Sequence, residues 1–271
     1  MTEYKEEKGK ITKEGILSYT EVKNLSVYEE IDSTNEELKR LATKGAGHGS
    51  LVVANQQTAG KGRLGRYFYS PSQTGIYMSV LLRLGLSFSE SLLVTTAASV
   101  AVCDAIEEVC GISCGIKWVN DIYLQEKKVC GILTEAITDP AEGRISGMIC
   151  GIGINVGGKH FPEEAGRLAA SLYDSDEIEG SLLNELTAAV YRHFMELCEK
   201  LPDKGYMKTY RERSIVLGRA IRYTDHGKWK NAVVTGINEE GGLELRTETE
   251  GELTLSSGEI TVRFREDERN V

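Results

Sequence analysis

Ile116-Lys117-Trp118-Val119-Asn120-Asp121-Ile122-Tyr123-Leu124-Gln125-Glu126-Lys127-Lys128-Val129-Cys130-Gly131-Ile132-Leu133-Thr134-Glu135-Ala136 is the stretch on which the fold turns. Its apolar runs, 116–119, 122–124 and 129–136, are too short for helices and rich in β-branched residues. Gln125 to Lys128 forms the hairpin turn between the last two runs. Three strands therefore follow one another with no helix between them. A doubly wound parallel sheet needs regular strand–helix alternation, so the expected class is α+β, a mixed sheet with helices packed on one face.

Working outward, residues 25–31, 51–57, 75–84 and 145–156 read as further strands. Residues 88–110 and 181–200 carry apolar residues near a 3.6 period and read as long helices. Ser33 with Glu36, or Thr34 with Glu37, fits a capping box before Leu38, Leu41 and Ala42, so a helix starts there and ends at Gly45 to Gly49. From about 218 the texture becomes short strands split by glycine turns, as in a small β-barrel. Residues 1–24 are charged and weakly periodic, a short lead-in.

Two motifs match familiar patterns without their context. Gly60-Lys61-Gly62-Arg63-Leu64-Gly65 has the dinucleotide spacing, but Tyr67-Phe68-Tyr69-Ser70-Pro71 follows where a helix is required. What remains is a flexible backbone with Lys61, Arg63 and Arg66 within six residues, a pattern suited to phosphate. Gly111-Ile112-Ser113-Cys114-Gly115 has the nucleophile-elbow spacing, but a helix precedes it and a strand follows, the wrong order.

Three polar positions stand out. Lys117 interrupts an apolar strand and is either an edge-strand cation reaching water or a group aimed at carboxylate or phosphate oxygens. Ser33-Thr34-Asn35 is either a helix cap or a helix start offering N–H groups to a ligand. Gln57 ends a strand at the glycine loop, either facing solvent or hydrogen-bonding an amide-like ligand.

The 271-residue chain has 41 acidic and 32 basic residues, a net charge of −9, which disfavours polyanion binding through bulk charge. No apolar run approaches the ~20 residues of a membrane span, and no signal peptide is visible, so the expected location is cytoplasmic. The six cysteines form no C-x-x-C pair and read as reduced, packed side chains.

Taken in order, Ser33-Thr34-Asn35, Gln57 to Arg66, Lys117 to Asp121, Lys128 to Glu135 and Gly151-Ile152-Gly153-Ile154-Asn155 resemble the biotin protein ligases, or biotin–[acetyl-CoA-carboxylase] ligases. The resemblance runs from about residue 25 to the C-terminus. It implies a class II synthetase-like catalytic domain of the biotin–lipoate type over 25–215 and an SH3-like barrel over 216–271, after the lead-in 1–24. It implies activation of biotin by ATP with Mg²⁺ to biotinyl-5′-adenylate, then transfer to a lysine of a biotin carboxyl carrier protein. By the match, Ser33, Thr34, Asn35, Gln57, Lys61, Gly62, Arg63 and Lys117 bind biotin, with Lys117, Arg63 and Lys61 serving catalysis. Arg66, Phe68 and Asn155 lie by the nucleotide; no metal ligand is named.

Lys61 stands where the family usually has arginine, and Val119 where it has proline. The first change keeps the charge and loses the planar fork; the second leaves the turn less pre-set in φ. About 24 residues precede the first catalytic strand, too few for a helix-turn-helix module, so the expectation is a monofunctional ligase without operator binding. The resemblance admits a homodimer. The alternatives are a lipoate or octanoate ligase or transferase of the same superfamily, against which the missing Arg-Arg-x-Ser-Gly-Gly-Gly run counts, and a non-enzymatic biotin- or adenylate-binding regulator, for which the basic loop and Lys117 would be superfluous.

Overall fold

A computed structural model describes residues 9–85, 90–138, 144–162, 168–225, 228–247, 249–256 and 262–264. The larger sheet contains β1 (Leu25–Ile31), β2 (Leu51–Gln57), β3 (Gly75–Leu82), β4 (Gly115–Lys117), β5 (Asp121–Leu124), β6 (Lys127–Thr138) and β7 (Ile145–Asn155). Their order is β1-β2-β3-β7-β6-β5-β4. Only the β1–β2 pair is parallel. The hairpin reading of the 116–136 stretch therefore holds, with the turn narrowed to Gln125-Glu126.

Alternation along the strands divides the core. Ile76, Met78, Val80 and Leu82 of β3 face α3 (Ser91–Cys110), α4 (Gly180–Glu199) and the main core, whereas Leu81, with Val52 and Ile149, packs under Leu38 of α2 (Thr34–Thr43). The two 20-residue helices thus share one face, as expected, and α2 occupies part of the opposite face. Gly111, at φ +68°, ends α3 before β4 begins, so Ser113 lies in a helix-to-strand connection and no nucleophile elbow forms.

Two readings need correction. The capping box does not form: Ser33 is the N-cap residue of α2, but its hydroxyl makes no cap bond. The carboxylates of Glu36 and Glu37 have stronger partners, Lys39 and Lys61 for Glu36, and Arg40 with the Tyr28 hydroxyl for Glu37. Nor is the stretch before residue 25 merely a lead-in. Ile11, and Ile16 of α1 (Lys13–Leu17), are fully buried. The Asn184 side chain accepts from the Thr12 N–H and donates to the Lys10 carbonyl, tying this segment to α4.

The smaller sheet, among the described residues, comprises β8 (Ala220–Asp225), β9 (Lys228–Ile237), β10 (Leu243–Thr247), β11 (Glu252–Leu255) and β12 (Val262–Phe264), ordered β11-β10-β9-β8-β12 and antiparallel throughout. It matches the short-strand texture of the C-terminal sequence and an SH3-like barrel. α5 (Met207–Glu212) leads into it. No helix of the described residues is long and apolar enough to cross a membrane.

Candidate functional site

Register partners on neighbouring strands face the same side of a sheet, so each row across the α2 side can be read from the pairing. One row runs Tyr77, Gly153, Gly131, Asp121, Lys117. The next holds Ser79, Gly151 and Leu133, and the third Leu81, Ile149 and Glu135. α2 covers the third row. The first two rows form a trough whose floor is glycine at 131, 151 and 153, where a side chain would fill the space. A Cβ on Gly151 would come within 3.0 Å of three atoms of the Asn35 amide, and one on Gly153 would collide with the Phe68 ring.

The start of α2 forms one wall. Ser33, Thr34 and Asn35 are all buried. Thr34 donates both its N–H (2.9 Å) and its hydroxyl (3.1 Å) to Gln57 Oε1. Gln57 Nε2 donates to Ser70 Oγ at 2.9 Å. Asn35 Nδ2 donates to Glu135 at 2.7 Å, and its Oδ1 accepts from Ser79 at 2.6 Å. Lys39 bridges Glu135 and Glu36, so this polar chain continues to the surface as ion pairs.

The glycine loop forms the roof, with the backbone at Leu64 and Gly65 in the left-handed region. Its three cations go to three places. Lys61 Nζ pairs with Glu36 at 2.6 Å, reaching α2. Arg63 Nη1 donates to Asn120 Oδ1 at 2.9 Å, reaching the turn between β4 and β5. Arg66 is exposed, and its carbonyl accepts from the Gly62 N–H at 2.7 Å. Phe68 lies against Gly131 and Gly153 and meets the Tyr77 ring edge-on. Asn155 ends β7, where Nδ2 donates to the Ala170 carbonyl at 3.0 Å.

Lys117 lies at the end of the first row, on the edge strand β4. It is 6% exposed, so the side chain does not reach out to water. Nζ donates to Tyr123 Oη at 3.3 Å and stands 5.1 Å from that ring's centroid. Asp121 beside it pairs with Lys128 at 2.7 Å. Asn120 is itself fixed by donating to the Ile132 carbonyl at 2.8 Å.

Burial holds the Arg63 guanidinium below its usual pKa, with the Asp121 carboxylate partly opposing. Hydrogen bonds from Lys39 and Lys61 depress Glu36. The bond from Arg40 depresses Asp32, just before α2, to about 2. The six cysteines are free thiols. Burial raises Cys114 to about 11 and Cys150 to about 12, which keeps them unreactive.

The structure thus joins Thr34, Asn35 and Gln57 in one network, with Ser33 beside them, and brings Arg63 to the Lys117 turn. Lys61 is tied to the outer side of α2. Sequence reasoning passed over Ser79, Tyr123, Glu135 and Lys128 as site residues. Ser79 had a signal, being a lone hydroxyl in the apolar run of β3. The floor glycines had one too, since glycine inside a strand marks close approach.

A family model described as the Biotin/lipoate A/B protein ligase family matches residues 27–155. A bifunctional ligase/repressor BirA of Bacillus subtilis is 34% identical, over 92% of this chain and 80% of its own length. A biotin–[acetyl-CoA-carboxylase] ligase of Mycobacterium tuberculosis is 28% identical, over 89% of this chain and 86% of its own length. Among solved structures, the biotin protein ligase of Aquifex aeolicus in complex with biotin and ATP superposes with a TM-score of 0.75 at 31% identity, covering 89% of this chain and 99% of that one.

Proposed function

The chain belongs to the biotin protein ligases, and on that premise we propose that the glycine-floored trough is where it activates biotin with ATP and from which it passes biotin to a carrier lysine. It is an ATP-dependent, AMP-forming enzyme. A biotin carboxylate oxygen bonds to the α-phosphorus of ATP as the bond to the β-phosphate oxygen breaks and pyrophosphate leaves. The carrier's lysine amine then bonds to the acyl carbon of the mixed anhydride, loses a proton, and AMP departs.

One observation carries the assignment of roles. The row Tyr77–Gly153–Gly131–Asp121–Lys117 sets two floor glycines, covered by Phe68 from the glycine loop, in line with a buried ammonium. Ser33, Thr34, Asn35 and Gln57 supply hydroxyl and amide groups suited to the ureido end of biotin. Lys117 offsets the repulsion between carboxylate and phosphate as they approach, where a buried cation acts more strongly than in water. Arg63, held by Asn120, closes the loop over the labile anhydride, with Lys61 and Gly62 lining it, and excludes water. Phe68 and Asn155 border the nucleotide, and Arg66 reaches its phosphates. The described residues contain no group of three His, Cys, Asp or Glu side chains placed to hold a metal. A Mg²⁺ arriving with ATP would offset the phosphate charge in the first step.

The partner is a biotin carboxyl carrier protein, and the site of action is the cytoplasm. The net charge of −9 disfavours nucleic-acid binding through bulk charge; a mobility shift with operator DNA would contradict a ligase without a DNA-binding role. A homodimer is read by sedimentation. The central test is exchange of labelled pyrophosphate into ATP, run with biotin, lipoate and octanoate in parallel. Biotin-dependent exchange followed by labelling of a carrier domain is the expected result. Exchange with lipoate or octanoate alone would refute the substrate assignment, and tight biotin binding with no exchange would refute the enzymatic one.

A further inference from the structure

The segment that carries Lys117 is gripped from outside its own sheet. The Val119 carbonyl accepts from Ser99 Oγ of α3 at 3.3 Å and from Tyr210 Oη of α5 at 3.1 Å. The third grip comes from the small sheet: Trp118 Nε1 donates to the Gly241 carbonyl at 2.8 Å, a buried bond between residues 123 apart in sequence.

Gly241 sits in the turn joining β9 to β10, and that turn is built to hold its shape. Asn238 Oδ1 accepts from the Glu240 N–H at 3.0 Å and the Gly242 N–H at 2.8 Å. Backbone bonds close it from Asn238 N to Gly242 O and from Gly241 N to Asn238 O, both 3.0 Å. Gly241 has φ +80°, and a Cβ there would lie 3.2 Å from both Leu92 and Thr96, so the turn rests directly on α3. Arg211 and Lys204 pair with Glu239 and Glu240 on its outer side.

We propose that this turn is a working part of the site, holding Trp118 so that the Lys117 ammonium and the Asn120 amide, the anchor of Arg63, stand where catalysis needs them. Trp118 is a positioning residue, and Asn238 acts through it. The inference rests on the reading of Lys117 and Arg63 given above. A misplacement of about 1 Å at a reacting group can slow a reaction ~100-fold, so the effect belongs in kcat. The amide wall at Ser33 to Asn35 and Gln57 is built on α2 and β2, and biotin recognition there is unaffected.

The test uses the full chain with Trp118→Phe, which keeps an aromatic ring but removes the donor, and Asn238→Ala, which loosens the turn without touching the site. Each is expected to lower kcat for biotin-dependent pyrophosphate exchange at least about tenfold, with KM for biotin within about threefold. The double variant should be no slower than the slower single variant, because both cut the same link. Wild-type kcat in both variants, or a loss matching the unfolded fraction alone, overturns the proposal. A second readout is independent of catalysis. The chain has 2 tryptophans, so Trp229→Phe leaves Trp118 as the sole indole. In that background Asn238→Ala should raise acrylamide quenching of Trp118, and unchanged quenching overturns the strut. Absence of exchange in the wild-type chain would instead remove the ligase reading, while the quenching result still decides whether the turn holds Trp118.

Discussion

Gly151→Ala adds one methyl group at the centre of the trough. The new Cβ would lie 2.2 Å from Asn35 Oδ1, where ordinary contact begins at 3.4 Å, so the amide must retreat by about 1.2 Å. Asn35 is buried and held on both sides, by Ser79 at 2.6 Å and by the Glu135 carboxylate at 2.7 Å. A shift of that size breaks at least one of these bonds. A buried neutral group left unpaired costs about 1–3 kcal/mol, and a bond to a charged group is worth about 1.5–3 kcal/mol, so roughly 3 kcal/mol is expected. For a chain of this size that lowers Tm by about 6–12 °C. If Asn35 also faces biotin, affinity falls roughly 100-fold, since ~1.4 kcal/mol is tenfold. Thermal unfolding and biotin calorimetry measure both. Asn35→Ala should make room for the methyl, so Gly151→Ala in that background should cost almost nothing further. Wild-type stability and affinity in Gly151→Ala, or additive losses in the double variant, would refute the close packing on which the trough depends.

Arg63→Ala removes the charged bond to Asn120, worth about 2 kcal/mol, so the loop opens roughly 30-fold more often. Release of biotinyl-adenylate should accelerate by about that factor in stopped-flow measurements, with the fold intact and Tm lower by about 4–8 °C; wild-type retention would remove Arg63 from the closing role. Lys117→Met keeps the apolar stem and deletes the cation. It should hold Tm within a few degrees, which calorimetry checks, and abolish pyrophosphate exchange; a collapse of the fold would make the lysine structural. Asp32 and Glu36 have depressed folded-state pKa values, so their contribution is whole above the unfolded values near ~4 and is lost as pH falls, for Asp32 through about 2. Burial raises Asp104, whose protonation works in the opposite direction. Asp32→Asn should therefore lower Tm at pH 7 and by much less near pH 2, and equal losses at both would contradict the ion-pair origin.

The strands of the larger sheet were legible because each has its own period or apolar run, and β1 and β2 match their sequence-read limits. α1 was not, being five residues long with an ordinary charged composition; its Thr12 cap, the bonds from Asn184 and the burial of Ile16 hold it. The capping box failed for a related reason. Local spacing predicted a local bond, but Lys61, 25 residues away, competes for Glu36. In the candidate site, Lys117 was visible as a cation in an apolar strand, Thr34 and Asn35 as a helix start, and Gln57 as a strand end. Their partners were not, because Glu135 lies 100 residues from Asn35 and Gly241 lies 123 from Trp118. Such contacts come from topology, which a one-dimensional pattern does not carry.

The sheet order also governs when the trough can exist. Its floor needs β3 paired with β7, joining residues 75–82 to 148–155, whereas Ile11 is bonded to Asn55 of β2 and Thr12, at the start of α1, waits for Asn184. Loops of this length close slowly, since their entropy must be lost before any contact compensates it. Until residue 155 has emerged from the ribosome the glycine loop has no floor to cover, and until residue 184 follows α1 lacks its α4 partner, although Ile11 already has Asn55. The glycine floor can thus form before the last third of the chain is made, and the docking of α1 on α4 follows it.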